Sequence, residues 1–179
     1  MKFAPDIRKT RTDSPLGVLI LAATGQGLAG VWFDDQKHRP DWQGWPDRDE
    51  DPTLLQVIAE LHQYFDGERT RFGVPLDLRV GTPFQQSVWQ ALLGIPFGVC
   101  TSYGTLAATL HKPLAVRAVG TAVGRNPVGI IVPCHRVLGA DGSLTGYAGG
   151  LGRKAALLTL ESGARRAGQP APTAWHPNS

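Results

Sequence analysis

Cysteine is scarce in this chain. There are two, Cys100 and Cys134, and no Cys-x-x-Cys spacing. Two such thiols make no disulfide framework, and a reducing compartment keeps both free. No apolar run is long enough to span a membrane, and the first residues carry no signal-peptide pattern. The expectation is a cytoplasmic protein with no membrane partner. Internal repeats and nucleotide-binding glycine motifs are absent too, which removes solenoids and dinucleotide enzymes from consideration. What is present is ordinary for a globular chain: 42% hydrophobic and 18% charged over 179 residues, enough for one large domain or two small ones.

Charge is unevenly spread. Residues 1–81 hold ten Lys/Arg and thirteen Asp/Glu, a balance of −3. Residues 82–163 hold six basic and two acidic residues, a balance of +4. A basic second half suits a polyanionic partner, although a modest excess is also what a solvated face carries.

The pattern along the chain divides at the same place. Residues 1–14 are polar without a period and read as irregular. Leu16 to Ala23 and Leu28 to Phe33 read as a β-hairpin around Thr24-Gly25-Gln26-Gly27. Residues 34–50 read as a loop that Trp42 and Trp45 could pin to a core. Asp51-Pro52 caps a helix with Leu54, Ile58, Leu61 and Phe65 at helical spacing and a stop at Gly67. Phe72 to Leu78 reads as a third strand. This first part, residues 1–80, forms an α/β layer with no evident catalytic cluster, and His62 is a surface or packing residue of its helix.

Thr82-Pro83-Phe84-Gln85 has the form of a capping box, and Val88, Trp89, Leu92 and Leu93 supply one helical face. A turn at Pro96-Phe97-Gly98 follows. Tyr103 to Leu110 and Leu114 to Gly124 read as two helices joined by His111-Lys112-Pro113, the helix-turn-helix pattern. A last helix runs from Arg153 to Glu161 and stops at Gly163. The tail, 164–179, reads as disordered.

The most informative stretch is Asn126-Pro-Val-Gly-Ile-Ile-Val-Pro-Cys-His-Arg-Val137. Asn-Pro starts a turn, an apolar run anchors it, and Pro133 forbids a regular helix before Cys134. A thiol attacks as its thiolate, and a neighbouring imidazole such as His135 can generate one near neutral pH. A buried, inert cysteine is the plain alternative. Cys100, in the apolar approach to the first motif helix, reads as a core thiol.

Pro133-Cys134-His135-Arg136-Val137, preceded by Asn126-Pro127, resembles the signature of the O6-alkylguanine-DNA alkyltransferases. The resemblance runs from about Thr82 to Gly163 and is weaker before that, where Tyr64-Phe65-Asp66-Gly67 looks familiar. It implies a ribonuclease-H-like first domain, then a mostly helical, winged-helix-like domain, 81–163, that binds DNA and does the chemistry. The implied reaction moves an alkyl group from O6-alkylguanine, and from O4-alkylthymine as a further expectation, irreversibly onto Cys134. His135 would take the thiol proton through a bridging water. Glu161 would orient that histidine, although alone it reads as a poorly placed anion at a helix C-terminus. Asn126 would tie the nucleophile's turn, and Tyr103 would donate to the leaving guanine.

Arg117 and Ala118 on the second motif helix, with Thr101, Ser102, Arg125 and Arg136, are the implied DNA contacts. Arg117 would fill the stack when the guanine is flipped out. Val137, Tyr147, Ala148, Gly149 and Lys154 would line the base pocket. Ala148 stands where some relatives have Ser, and Gly129 where some have Pro, which should open that pocket slightly. Some relatives also hold zinc through N-terminal cysteines; none are present here, so no metal and no cofactor are expected. The implied partner is double-stranded DNA bearing the lesion, bound by a monomer with cooperative clustering and nucleoid association as further expectations. Two other classes remain open at this point: a helix-turn-helix regulator in which Cys134 is dispensable, and a Cys-His-Glu hydrolase.

Overall fold

The structure, a computed structural model, describes residues 2–165. Three antiparallel strands, β1 (Arg8–Thr12), β2 (Leu19–Thr24) and β3 (Gly27–Phe33), lie in the order β1-β2-β3. The helix α1 (Pro52–Phe65) packs on one face. Its start follows from Asp51, whose carboxylate accepts from the backbone N–H groups of Thr53 and Leu54, with Pro52 preset for the first turn. The buried stripe is Leu54, Val57, Leu61 and Tyr64, with Ile58 and Phe65 at its edge. On the other face of the sheet, residues 34–50 fold back so that Trp42 and Trp45 join Phe3 and Trp32 in a second apolar cluster.

Two expectations for this half are corrected. β1 is a strand, although its residues alternate no apolar side chains. It is an edge strand, paired with β2 from Arg8 opposite Ala23 to Thr12 opposite Leu19. Its side chains find partners in the loop instead: Arg8 with Asp51, Lys9 with Asp47, Thr10 with Asp49. Residues 72–78 make no strand. They touch β3 at one parallel bridge, where Leu28 N–H donates to the Pro75 carbonyl and Asp77 N–H to the Leu28 carbonyl. Pro75 has no N–H to extend a ladder.

The same edge of β3 continues into the second half of the chain. Val31 N–H donates to Pro127 O at 2.9 Å, and Gly129 N–H donates back to Val31 O at 3.0 Å. The sheet therefore holds the segment that leads to Cys134.

The second half is helical, as expected. α2 (Pro83–Leu93) begins with the full capping box, Thr82 and Gln85 each bonding the other's backbone. α3 (Tyr103–Thr109) and α4 (Val116–Gly124) form the helix-turn-helix. His111 takes a left-handed φ of 55° in the connecting turn. α4 starts at Val116, two residues later than the sequence suggests, and Ala115 at its N-cap makes no side-chain cap bond. Trp89 Nε1–H donates to Ala122 O at 2.9 Å and locks α2 to α4. Two short strands, β4 (Thr101–Ser102) and β5 (Val137–Leu138), pair in parallel. Between Pro133 and β5 lies one 3-10 turn, Cys134–Arg136. The last helix, α5 (Leu151–Arg165), runs past Gly163, so residues 164 and 165 belong to a helix and not to a tail. The remaining tail, 166–179, lies outside the described residues.

Gly27 permits the junction of β3 with residues 75–77. Its φ is 139°, and a Cβ there would sit 2.4 Å from the Pro75 carbonyl oxygen. Backbone on both sides cannot yield cheaply. Gly27→Ala should cost about 2–4 kcal/mol, read as a lower urea midpoint. An unchanged midpoint would show that residues 75–77 move away freely.

Candidate active site

The site is built from a turn, not a strand. Val128, Ile130, Ile131 and Val132 are buried, but only Val128 bridges the sheet. The chain instead coils on itself, with Val132 N–H donating to Val128 O at 2.9 Å and Cys134 N–H to Val132 O at 2.8 Å. Ile130 has a φ of 68°, a costly conformation for a β-branched residue, which its 1% exposure in the core offsets. Asn126 closes the coil from inside. Its Oδ1 accepts from Val128 N–H at 3.0 Å, and its Nδ2 donates to Val132 O at 2.8 Å and to Cys134 Sγ at 3.1 Å.

Cys134 is 7% exposed, at the base of a cleft with about 300 Å³ of empty space including its open mouth. Tyr147, Ala148 and Gly149 form one wall, Val123, Gly124 and Gly129 contribute to others, and Gln36 reaches in from the N-terminal half. Val137 and Lys154 are not among the lining residues. Lys154 is fully buried, and its Nζ donates to Val137 O at 2.5 Å and Thr145 O at 2.6 Å, bracing the loop that carries the wall. Tyr103 is half-buried, and its hydroxyl lies 3.3 Å from the carbonyls of Thr145 and Gly146.

Behind Cys134 lies a carboxylate with no exposed surface. Glu161 Oε1 accepts from His135 Nε2 at 2.8 Å, Tyr64 Oη at 2.9 Å and Arg136 Nη2 at 2.9 Å. Its Oε2 accepts from Arg136 Nε at 2.8 Å and Gly98 N–H at 2.9 Å. Burial alone would raise the Glu161 pKa, but the bonds from His135 and Arg136 and their charge hold it well below the usual carboxylate range. A carboxylate without a proton makes Nε2 the donor, which leaves Nδ1 of His135 as the acceptor nitrogen. That Nδ1 is buried and has no hydrogen-bond partner among the described residues.

Burial pushes the Cys134 thiol pKa up, against the opposing hydrogen bond from Asn126, and pushes the His135 imidazole down. Burial thus favours the uncharged form of both the thiol and the imidazole, against the thiolate that the Cys-His pair suggests. Burial also lowers the pKa of Lys154.

The structure redistributes several of the expected DNA contacts. Arg117, Ala118 and Arg125 are exposed, the first two on α4. Arg136 is not: it is 6% exposed and spends its guanidinium on Glu161 and on Ile95 O at 2.6 Å. It is a buried counter-ion, not a surface contact. Thr101 is 8% exposed, facing inward, and Ser102 uses its hydroxyl to cap α3. Cys100 is exposed, not a core thiol. Sequence reasoning missed Tyr64, Gln36 and the Gly98 N–H. For Tyr64 a signal existed: it ends the 54-57-61-64 stripe with a polar tip that must find a buried partner.

A buried cysteine beside histidine and a carboxylate, set next to a helix-turn-helix, defines a protein that joins a cysteine-centred site to a DNA-binding motif. Comparison with known proteins makes that particular. Residues 7–78 match the profile of the 6-O-methylguanine DNA methyltransferase ribonuclease-like domain, and residues 83–163 that of the DNA binding domain. A methylated-DNA–protein-cysteine methyltransferase of Mycobacterium leprae is 52% identical over 83% of this chain and 88% of its own length. A constitutive one of Bacillus subtilis is 43% identical over 85% and 93%. The crystal structure of the Mycobacterium tuberculosis O6-methylguanine methyltransferase superposes with a TM-score of 0.81 at 46% identity, covering 93% of this chain and 96% of that one. The Mycobacterium tuberculosis protein in complex with DNA gives 0.79 at 48%, covering 88% and 93%. The chain belongs to the 6-O-methylguanine DNA methyltransferase family, and its enzyme class is methylated-DNA–protein-cysteine methyltransferase.

Glu161→Gln tests the buried cluster. It leaves Arg136 buried without a full counter-charge, so the cost should be about 3–5 kcal/mol. The depressed pKa adds a pH signature. Stability from Glu161 is fully present above its usual value of 4.5 and is lost as pH falls through its folded value. Wild-type urea midpoints should fall on acidification below about pH 4.5 more steeply than those of the variant. Parallel slopes would remove Glu161 as their source.

Proposed function

We propose that the protein repairs alkylated DNA by moving the alkyl group from O6 of guanine to Cys134, once per molecule. The Cys134 Sγ–carbon bond forms as the O6–carbon bond breaks, and guanine leaves with that electron pair. The thiol proton passes to Nδ1 of His135 through a bridging water, and Tyr103 donates to the departing purine. The observation that carries this reading is the 2.8 Å contact of His135 Nε2 with the Glu161 carboxylate, which accepts the Nε2–H hydrogen bond and leaves the unpartnered Nδ1 with the lone pair that can accept a proton. A thioether has no route back to a thiol, so the reaction is stoichiometric.

The lesion lies inside a base stack, while Cys134 lies at the base of a cleft. The base must therefore be extruded. We assign α4 to the minor groove, where Ala118 and Gly120 permit close approach and exposed Arg117 occupies the emptied stack. Exposed Arg125 meets the phosphates. The cleft wall at Tyr147, Ala148 and Gly149 receives the base. O4-alkylthymine offers the same alkoxy carbon on a smaller ring and is the second substrate we assign. We place the working protein on the nucleoid as a monomer that clusters on DNA, with the first domain ending near residue 80.

Intact-protein mass spectrometry after incubation with O6-methylguanine duplex should show one permanent CH2 gained per molecule, and none in Cys134→Ala. A gain that persists in Cys134→Ala would move the nucleophile to exposed Cys100. Catalytic turnover would refute the stoichiometric reading.

Arg117→Ala should impair repair of duplex strongly while reaction with free O6-benzylguanine, which needs no flipping, stays within about twofold of wild type. Arg117→Lys should rescue only partly, since it keeps the charge and loses the planar face. An equal loss on both substrates would contradict the wedge role.

A further inference from the structure

Tyr64 is far from the nucleophile in the chain and belongs to the half that carries no reacting group. Its hydroxyl nevertheless donates to Glu161 Oε1 across 97 positions of sequence. The ring is fully buried, against Phe65, Phe72 and Phe97. A carboxylate has no proton to give, so the phenol is the donor in this pair. Oε1 is also the oxygen that holds His135 Nε2, and it takes a third bond from Arg136 Nη2. The phenolic donor therefore competes with the imidazole for the same lone pairs.

We propose that Tyr64 is a positioning residue for alkyl transfer: its hydrogen bond fixes Oε1 of Glu161 against His135 and limits how strongly that carboxylate favours the imidazolium. This deepens the alkyl-transfer reading above and rests on it. The groups facing His135 are few. Glu161 from α5 favours a charged ring. Arg136 from the same 3-10 turn and Lys154 from α5 disfavour it. Cys134 is its neighbour, and Tyr64 from α1 acts through Glu161. Without the phenol, Oε1 carries more unshared negative charge, pulls harder on the Nε2 proton, and stabilises the cation. A histidine that is already protonated cannot accept the thiol proton. Tyr64 thus keeps Nδ1 available, and the N-terminal layer takes part in arming the thiol. Burial, which by itself holds His135 below its ordinary value, acts in the same direction.

Tyr64→Phe keeps the ring and removes the donor. Two readouts are needed in the full chain: the pH profile of single-turnover transfer from saturating O6-methylguanine duplex, and the titration of His135 followed by NMR of its ring. The acid limb and the His135 titration should both move up by about half to one pH unit, a three- to tenfold change in proton affinity. The alkaline plateau should stay within about threefold, since the base form is unchanged there. Site-specific 3-fluorotyrosine at position 64, a stronger donor of nearly the same size, should move both readouts the other way and serves if the Phe variant folds poorly. A lower melting temperature with an unmoved limb and an unmoved titration would overturn the proposal, because a hydroxyl that only satisfies itself predicts that result. Absence of a Cys134 adduct in the wild-type protein would instead sink the transfer reading, and the His135 titration would still judge Tyr64.

Discussion

A single buried carboxylate sets the architecture of this protein. Glu161 has no exposed surface and five hydrogen-bond donors. They come from α1, from the turn after α2, and from the 3-10 turn that carries Cys134. Desolvating a charge costs several kcal/mol, which only full pairing and hydrogen bonding offset. Each of these segments must therefore dock in register before the charge is tolerated. The consequence for function is direct. The network that stabilises Glu161 also holds His135 Nε2, so folding and the proposed activation of the thiol share the same bonds.

The sheet makes a second, independent connection. β3 lends its edge to residues 127–129, and Asn126 finishes the coil by bonding Cys134 Sγ. The thiol is thus presented by backbone that cannot drift. Its burial pushes the thiol pKa up and so favours the uncharged form. A neutral, 7% exposed thiol reacts poorly with stray electrophiles. In the proposed transfer it becomes a nucleophile only when a substrate carbon is in place and the proton can leave to His135. Such restraint suits the stoichiometric reaction proposed above, in which the thiol is consumed.

Local rules carry the most legible parts of this structure. The capping box at Thr82, the Asp51-Pro52 cap and the helix-turn-helix all depend on neighbours within a few residues, so they could be read before any fold was known. The Pro-Cys-His-Arg string worked because its neighbours are so particular. Other features depend on distant partners. β1 is a strand only because β2 and the loop at 47–51 receive it. Residues 72–78 have a strand's composition, but Pro75 limits them to one bridge. Arg136 looked like a surface cation until Glu161 was seen to bury it. Tyr64 looked like a helix end. Cys100 looked like core because its flanks are apolar. In each case the deciding partner lies far off in sequence.

Ionisation of Cys134 in the resting protein tests this account most directly. Thiolate absorbance, or capture by iodoacetamide, can be followed against pH in wild type, with Cys134→Ala subtracting the signal of Cys100. The account requires a Cys134 titration above the free-cysteine value of about 8.5, with little thiolate at pH 7. A Cys134 that is largely thiolate at neutral pH would contradict it, because the buried network would then be holding an ion pair and not a neutral, armed thiol.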